Sequence, residues 1–502
     1  MKIVTMYKII SIIILITMFY SCDFSTKEKT KPNVIFIYTD DIGYGDIGVY
    51  GAKQIATPNI DKMAAEGIRF TDGHCAASTC SPSRYAILTG EMGFRKNVGI
   101  QPVNAPITIN PKQFTLGKLF QKAGYRTGIV GKWHLGLGDG NVNWNTEIKP
   151  GPLEVGFDYS FIIPSTNDRA PFVYLENRKV YNLDLEDPIT VSRRPIPDSI
   201  PGYAYPDAIR NPESITVYKG DKQHSCSVIN GVGRIGYMKG GKKALWNDNT
   251  MADVLLERTK GFVKENKDHP FFLFLSTNDI HAPRLPHPRF RGSTNLGYRG
   301  DNVVQLDWYV GEVMKLLKKE NIEDNTILVF TSDNGPVNID GGYQDGADLG
   351  NHKAAGIFRG GKYQIYEGGT RVPFIVRWPL VIQPAVSNAL VSQVDLLASF
   401  ATLLNMEIPE NAAQDSRDYW NTFIGKDTVG ADIILEQTNS KKGVAIRKGN
   451  MKYLKKNDSY EMYNLENDPS EKNNIIENNP KLTKELHLIL KNLLDKPLKN
   501  YN

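Results

Sequence analysis

The sequence predicts an α/β protein with a large mixed sheet flanked by helices, and a small antiparallel sheet with a helix at its C-terminus. Three observations carry this. Continuous apolar runs of strand length recur, such as Val34-Ile35-Phe36-Ile37-Tyr38 and Phe271-Phe272-Leu273-Phe274-Leu275, as expected for strands buried on both faces. Segments with helical apolar spacing alternate with them. Near residue 430 the pattern changes to short alternating strands. At 502 residues, with 41% hydrophobic and 23% charged residues, the chain can bury a large core and carry more than one subdomain.

Lys2 and Lys8 precede an apolar run from Ile9 to Tyr20, too short to span a membrane comfortably, so residues 1–21 read as a signal peptide. Ser21-Cys22 is similar to a bacterial lipoprotein cleavage site. Cys22 would then carry lipid at the head of a polar tether, 22–32, on an exported, envelope-anchored protein in the periplasm or at the cell surface. Ordinary cleavage near the same point, giving a soluble secreted or periplasmic protein, is the alternative. The first strand follows at 33–38, then a helix over 57–67 opened by Thr57-Pro58, and a strand over 67–70. An amphipathic helix over 116–123 leads into a strand over 125–130. Residues 140–245, rich in Pro, Asn, Asp and Tyr, read as a loop-rich insertion with short strands on the rim of the sheet, and long loops in compact enzymes are usually functional. Helices over 250–266 and 300–320 alternate with strands over 271–276 and 326–331. The main domain covers 33–428. A C-terminal subdomain, 429–502, takes strands at 443–447, 452–454 and 460–465 and a helix over 480–494.

Sixty basic and 55 acidic residues leave a net charge of only +5, with no basic block interleaved with aromatics, which argues against a nucleic-acid partner. Four cysteines occur. Besides Cys22 and Cys80, Cys75 and Cys226 remain, as one disulfide or as two free thiols.

Asp40-Asp41 follow the first strand and Asp333-Asn334 follow the strand over 326–331. In open α/β sheets ligands gather beyond the carboxyl ends of strands. Three carboxylates and an amide are hard oxygen donors, suited to Ca²⁺ or Mg²⁺ rather than zinc. Cys80-Ser81-Pro82-Ser83-Arg84, followed by Thr89-Gly90, puts a thiol at a helix start with Arg84 one turn on, a place that favours an anion. Three further segments follow strands or glycine pairs: Gly131-Lys132-Trp133-His134, Asn278-Asp279-Ile280-His281-Ala282-Pro283, and Gly360-Gly361-Lys362 with Tyr366-Glu367-Gly368-Gly369-Thr370-Arg371-Val372-Pro373.

Together these motifs, from about Asn33 to Ile475, resemble the type I sulfatases, whose signature is C-x-P-S-R with a later T-G. The resemblance implies the alkaline-phosphatase-like sulfatase fold. It implies that Cys80 is oxidised to formylglycine by a formylglycine-generating maturation enzyme, and that its hydrate is the nucleophile. It implies one Ca²⁺ held by Asp40, Asp41, Asp333, Asn334 and the modified Cys80. Arg84 would hold the attacking hydroxyl, Lys132 and Lys362 would bind the sulfate, and His281 with Lys362 would protonate the leaving oxygen. His134 would take the proton from the second hydroxyl to free sulfate. Glu367 and Arg371 read as a buried structural pair. In the insertion, Asp168, Arg169 and His224 look like substrate-binding residues of a carbohydrate-sulfatase branch acting on 6-O-sulfated galactose or N-acetylgalactosamine. The expected partner is therefore a sulfated carbohydrate. Two alternatives compete: a phosphomonoesterase or phosphodiesterase of the same superfamily, and a non-catalytic surface glycan-binding lipoprotein. Only eight histidines occur, not arranged for a two-zinc site.

Overall fold

Strand β1 (Asn33–Thr39) runs through the middle of the main sheet, every residue buried. In the computed structural model, which describes residues 31–337 and 341–501, the expected signal peptide and Cys22 lie outside the described residues. The other strands, in chain order, are β2 (Ile68–His74), β3 (Arg126–Lys132), β4 (Tyr159–Ile163), β5 (Leu175–Glu176), β6 (Lys179–Val180), β7 (Thr190–Ser192), β8 (Val228–Ile229), β9 (Val232–Gly233), β10 (Tyr237–Lys239), β11 (Phe271–Ser276), β12 (Thr326–Ser332), β13 (Phe374–Arg377), β14 (Ala385–Ser392), β15 (Ile433–Gln437), β16 (Gly443–Lys448), β17 (Met451–Lys456) and β18 (Ser459–Asn464).

The main sheet has ten strands in the order β14-β2-β13-β12-β1-β11-β3-β4-β5-β6. Its five central neighbours, β12, β1, β11, β3 and β4, are parallel. β13 is antiparallel to both β12 and β2, so the sheet is mixed, as expected. Because Thr39 pairs with Ser332, Tyr38 with Ser276, and Ser276 with Gly131, the parallel strands end level along one edge. Helices Pro58–Ala65, Leu116–Lys122, Met251–Asn266 and Gly297–Lys319 fall where helical spacing places them, within a few residues.

The strand expected over 67–70 continues to His74, because β14 pairs with it as far as Ser392–His74. Residues 374–404, which carried no expectation, hold β13, β14 and the helix Leu396–Leu404. β13 has only four residues, and the first half of β14 is largely exposed, so neither shows an extended apolar signature. The insertion extends the sheet through β4, β5 and β6, and beyond them forms the pair β7–β10 and the hairpin β8–β9.

The C-terminal sheet, β15-β16-β17-β18, is antiparallel throughout. Helix Pro480–Asp495 covers it with buried Leu486, Leu490 and Leu493, spaced to share one face. A buried ionic cluster ties this sheet to the main body: Glu367 bonds Arg371 (2.8 Å), Lys452 (2.9 Å) and Arg447 (3.0 Å), and Glu436 bonds Lys452 and His74, each at 2.9 Å. Glu367 and Arg371 are thus a structural pair, and removing one member would strand a buried charge at a cost of about 3–5 kcal/mol. Cys75 and Cys226 are both free thiols, Cys75 buried with its Sγ 3.3 Å from the carbonyl of Thr370. Among the described residues no helix is long and apolar enough to cross a membrane.

Candidate active site

The level carboxyl ends of β1, β3, β11 and β12 deliver Asp40 and Asp41, Lys132, the loop to His281, and Asp333 and Asn334 to one place. Gly131 lets β3 and β11 close up there: a Cβ at Gly131, whose φ is +107°, would meet the carbonyl oxygen of Ser276 at 1.8 Å. Cys80 opens the helix Cys80–Thr89, whose first-turn N–H groups have no partner within the helix. Gly90, in the left-handed conformation, ends it with a bond to the carbonyl of Ala86 (2.8 Å). A cavity of about 340 Å³ is lined by Asp41, Cys80, His134, His281 and Lys362 on its inner side, and by Asp168, Arg169, Gln223, His224 and Tyr363 further out.

His134 is buried, with Nδ1 3.2 Å from the Cys80 sulfur and Nε2 3.1 Å from the carbonyl of Gln101. A carbonyl only accepts, so Nε2 carries the hydrogen and Nδ1 turns a bare lone pair to residue 80. Burial, then the charge of Lys132, hold its pKa well below the ordinary histidine value, so the ring is a neutral base. His281 donates Nδ1–H to the carbonyl of Ala282 (2.6 Å), leaving Nε2 free. Burial and the cations Lys362 and Lys132 push its pKa down to about 3.

Arg84 meets Asp333 Oδ2 through both Nη2 (2.7 Å) and Nε (2.9 Å), while its Nη1 donates to Ser276 Oγ (2.5 Å) and to the carbonyl of Lys132 (3.2 Å). Lys132 Nζ lies 2.5 Å from Asp40 Oδ2, and Lys362 Nζ lies 2.7 Å from Asp41 Oδ1. Burial opposes ionisation of Asp41, but Lys362 above all, with Lys132, outweighs it and holds the carboxyl far below its usual range. Burial and the adjacent Asp40 instead raise Asp333. Three carboxylates therefore meet three cations, and a divalent ion added to them makes the pocket net positive, which suits an anionic ester.

The residues fit such an ion. Asp40 Oδ1 and Asn334 Oδ1 are buried acceptors with no hydrogen-bond partner among the described residues, a costly arrangement unless a cation meets them. Asn334 spends its amide hydrogens on Asp41 Oδ1 (2.7 Å) and the carbonyl of Gly335 (2.9 Å), which leaves its oxygen available. Ligand atoms of Asp40, Asp41 and His281 lie within 4.8 Å of one another. A second acidic cluster, Asp72, His74 and Glu367, is satisfied by Arg371, Arg447 and Lys452 and has no such orphaned oxygens on those three residues.

Asp168 Oδ2 sits 3.5 Å from His224 and 3.7 Å from Arg169. Arg169 also donates to the carbonyl of Gln101 (2.5 Å), the same oxygen that fixes His134. Burial opposes the charge on Asp168 and on His224, but their mutual contact, with Arg169 beside the acid and Asp221 2.8 Å from the imidazole, keeps both ionised more readily than usual. Asp41, Cys80, His134, Asp168, Arg169, His224, His281 and Lys362 line this cavity, while Asp40, Arg84, Lys132, Asp333 and Asn334 lie behind them, joined by the contacts given above. Gln101, Asp221 and Tyr363 were not singled out, because their roles depend on contacts between loops that carry no local signature.

A buried cysteine set among hard oxygen donors and lysines at the strand ends of an α/β sheet defines an ester hydrolase for anions. The chain belongs to the sulfatase family: the Sulfatase family model matches residues 32–406. It is a sulfuric ester hydrolase, which sets aside the phosphatase and binding-lipoprotein readings. It is 45% identical over 488 residues to an N-acetylgalactosamine-6-O-sulfatase of Bacteroides thetaiotaomicron, covering 93% of this chain and 94% of that protein. A solved 6S-sulfatase from work on glycosaminoglycan metabolism by Bacteroides thetaiotaomicron superposes with a TM-score of 0.90 at 44% identity, covering 93% of this chain and all (100%) of the other. The structure of Ps i-CgsB in complex with k-i-k-neocarrahexaose gives a TM-score of 0.67 at 26% identity, covering 94% and 95% of the two chains. Sulfatases generally use Ca²⁺ and formylglycine.

Proposed function

We propose that the protein removes the 6-O-sulfate of N-acetylgalactosamine, or of galactose, from a sulfated glycan. The observation that carries this is the 45% identity to an N-acetylgalactosamine-6-O-sulfatase across 93% of the chain, over a cavity whose outer wall sets Asp168 against Arg169 and His224. In this reading those three residues grip the sugar hydroxyls. Sulfate release from 6-sulfated N-acetylgalactosamine, 6-sulfated galactose and their 4-sulfated counterparts tests it. Preference for a 4-sulfate would overturn the assignment.

Asp40, Asp41, Asp333, Asn334 and residue 80 would hold Ca²⁺, which when bound draws charge from the sulfate oxygens. Formylglycine at residue 80 would supply the attacking hydroxyl. Lys132 and Lys362, freed from part of their carboxylate pairing by that ion, would hold the remaining sulfate oxygens. Arg84 would fix residue 80 one helical turn away. His134 Nδ1 would accept a proton from residue 80, and His281 Nε2 would face the departing sugar oxygen. Asp333→Ala is expected to lose bound Ca²⁺ and to slow turnover by more than about 10²-fold, because it removes a ligand and leaves Arg84 only the more distant Asp40, 3.9 Å away. Metal analysis beside rate assays checks this, and stoichiometric zinc as the activating ion would refute it.

The protein would reach the substrate as an exported lipoprotein anchored through Cys22. Cys22→Ser is expected to move it from the membrane fraction to the soluble fraction with its specific activity unchanged. A mature N-terminus at any residue other than 22, read by mass spectrometry, would rule out the anchor.

A further inference from the structure

Among the described residues, five that are neither glycine nor asparagine adopt positive φ: Asp41, His134, Tyr363, Ala413 and Glu471. Three of them, Asp41, His134 and Tyr363, line the one cavity described above. Backbone strain of this kind gathers where function demands a side chain in a set place. Asp41 and His134 have chemical work there. Tyr363 has none yet, and it is the most costly of the three, since a bulky aromatic in this region is an outlier where Asp and His are tolerated.

The local geometry explains the demand. Gln364 N–H donates to the carbonyl of Gly361 (3.0 Å), closing a turn in which Lys362 and Tyr363 are the two central residues. With φ of +72° at its second central position, this is a type II turn, where glycine is the ordinary occupant. Tyr363 N–H donates to the carbonyl of Ser78 (2.7 Å), and Lys362 N–H to that of Pro336 (2.8 Å), so the turn is pinned to the catalytic body. The residue is 58% exposed, and Lys362 Nζ lies 5.7 Å from its ring centroid, so the ring borders that cation without being held in the core. The turn aims Lys362 inward to Asp41 (2.7 Å) and leaves the next side chain at the mouth, with exposed Gln223 also on the lining.

We propose that Tyr363 is a platform for the sugar that follows the sulfated one, stacking on the apolar C–H face of that ring. The inference rests on the sulfated-glycan reading above. A cavity of about 340 Å³ takes one sulfated monosaccharide, so the next sugar of a chain lies at the mouth. An exposed, rigidly mounted tyrosine suits that place, since its face accepts an apolar ring surface. Tyr363 is then a determinant of preference for chains over free monosaccharides.

The test compares N-acetylgalactosamine 6-sulfate with a tetrasaccharide bearing the same residue at its non-reducing end. Both are titrated calorimetrically into full-length protein carrying Cys80→Ala, which binds without turnover, and both are assayed for sulfate release by the active enzyme. The tetrasaccharide is expected to bind about tenfold tighter than the monosaccharide. Tyr363→Gly is expected to bring that ratio close to one, and Tyr363→Phe to keep it. Glycine fits the turn without strain, so the variant folds at least as well, checked by thermal melting. A ratio unchanged in Tyr363→Gly, lost equally in Tyr363→Phe, or equal to one in the parent overturns the platform. Absence of sulfate release from both sugars by the active enzyme overturns the substrate reading instead.

Discussion

Cys80→Ser, or protein made without the maturation enzyme, is expected to release sulfate about 10⁶-fold more slowly than the mature enzyme, the loss seen when a covalent nucleophile is removed. The geometry makes residue 80 irreplaceable. It stands on the cavity floor, 2% exposed, 3.2 Å from the bare nitrogen of His134 and one helical turn from Arg84. A serine keeps one hydroxyl in that position but has no second one for His134 to deprotonate, so it offers no route to free the sulfate. Mass spectrometry of the tryptic peptide containing residue 80, with hydrazide labelling, counts the aldehyde, and the rate should scale with it. Full activity from protein holding only the thiol would sink the mechanism. Retained Ca²⁺ binding and an unchanged melting temperature in the variant would show that the loss is chemical.

The parts of this site that follow strands were legible in the sequence. Parallel strands buried on both faces read as unbroken apolar runs, so the ends of β1 and β12 are visible, and Asp40, Asp41, Asp333 and Asn334 stand just beyond them. The thiol, the lysines and the two histidines were legible through short motifs. What holds them was not. The tautomer of His134 is fixed by the carbonyl of Gln101, and a backbone oxygen in a loop has no sequence signature. Lys362 was expected to serve the sulfate and, with His281, the leaving oxygen, yet it also pairs with Asp41 at 2.7 Å, a contact made only when the 361–364 turn meets the end of β1. Tyr363 was invisible for the opposite reason: turn chemistry asks for glycine there, so the local rule pointed away from the residue present. β13 and β14 escaped because their short or half-exposed stretches are shaped by pairing with β2 and β12 rather than by their own pattern.

His281 and His134 are expected to fail in different ways when each is replaced by alanine. His281 presents Nε2 to the cavity with Nδ1 committed to the carbonyl of Ala282 (2.6 Å). Burial and the cations Lys362 and Lys132 keep it neutral in the free protein, so in the proposed mechanism Nε2 would have to take up a proton once the anionic ester is bound beside those cations. Protonation matters most for a poor leaving group such as a sugar alkoxide. Loss of a general acid costs about 10²–10⁴-fold. His281→Ala should therefore show most of that loss on a 6-sulfated sugar and much less on any aryl sulfate the enzyme accepts. His134 turns Nδ1 to residue 80 while its Nε2 is committed to the carbonyl of Gln101, so its removal is expected to spare the first half of the reaction. His134→Ala should release one equivalent of alcohol in a burst and then stall, with sulfate retained on the protein. Rapid-quench measurement of alcohol and sulfate in the same sample separates the two. Steady multiple turnover by His134→Ala, or equal damage to sugar and aryl substrates in His281→Ala, would show that the two imidazoles do not divide the reaction between leaving group and nucleophile.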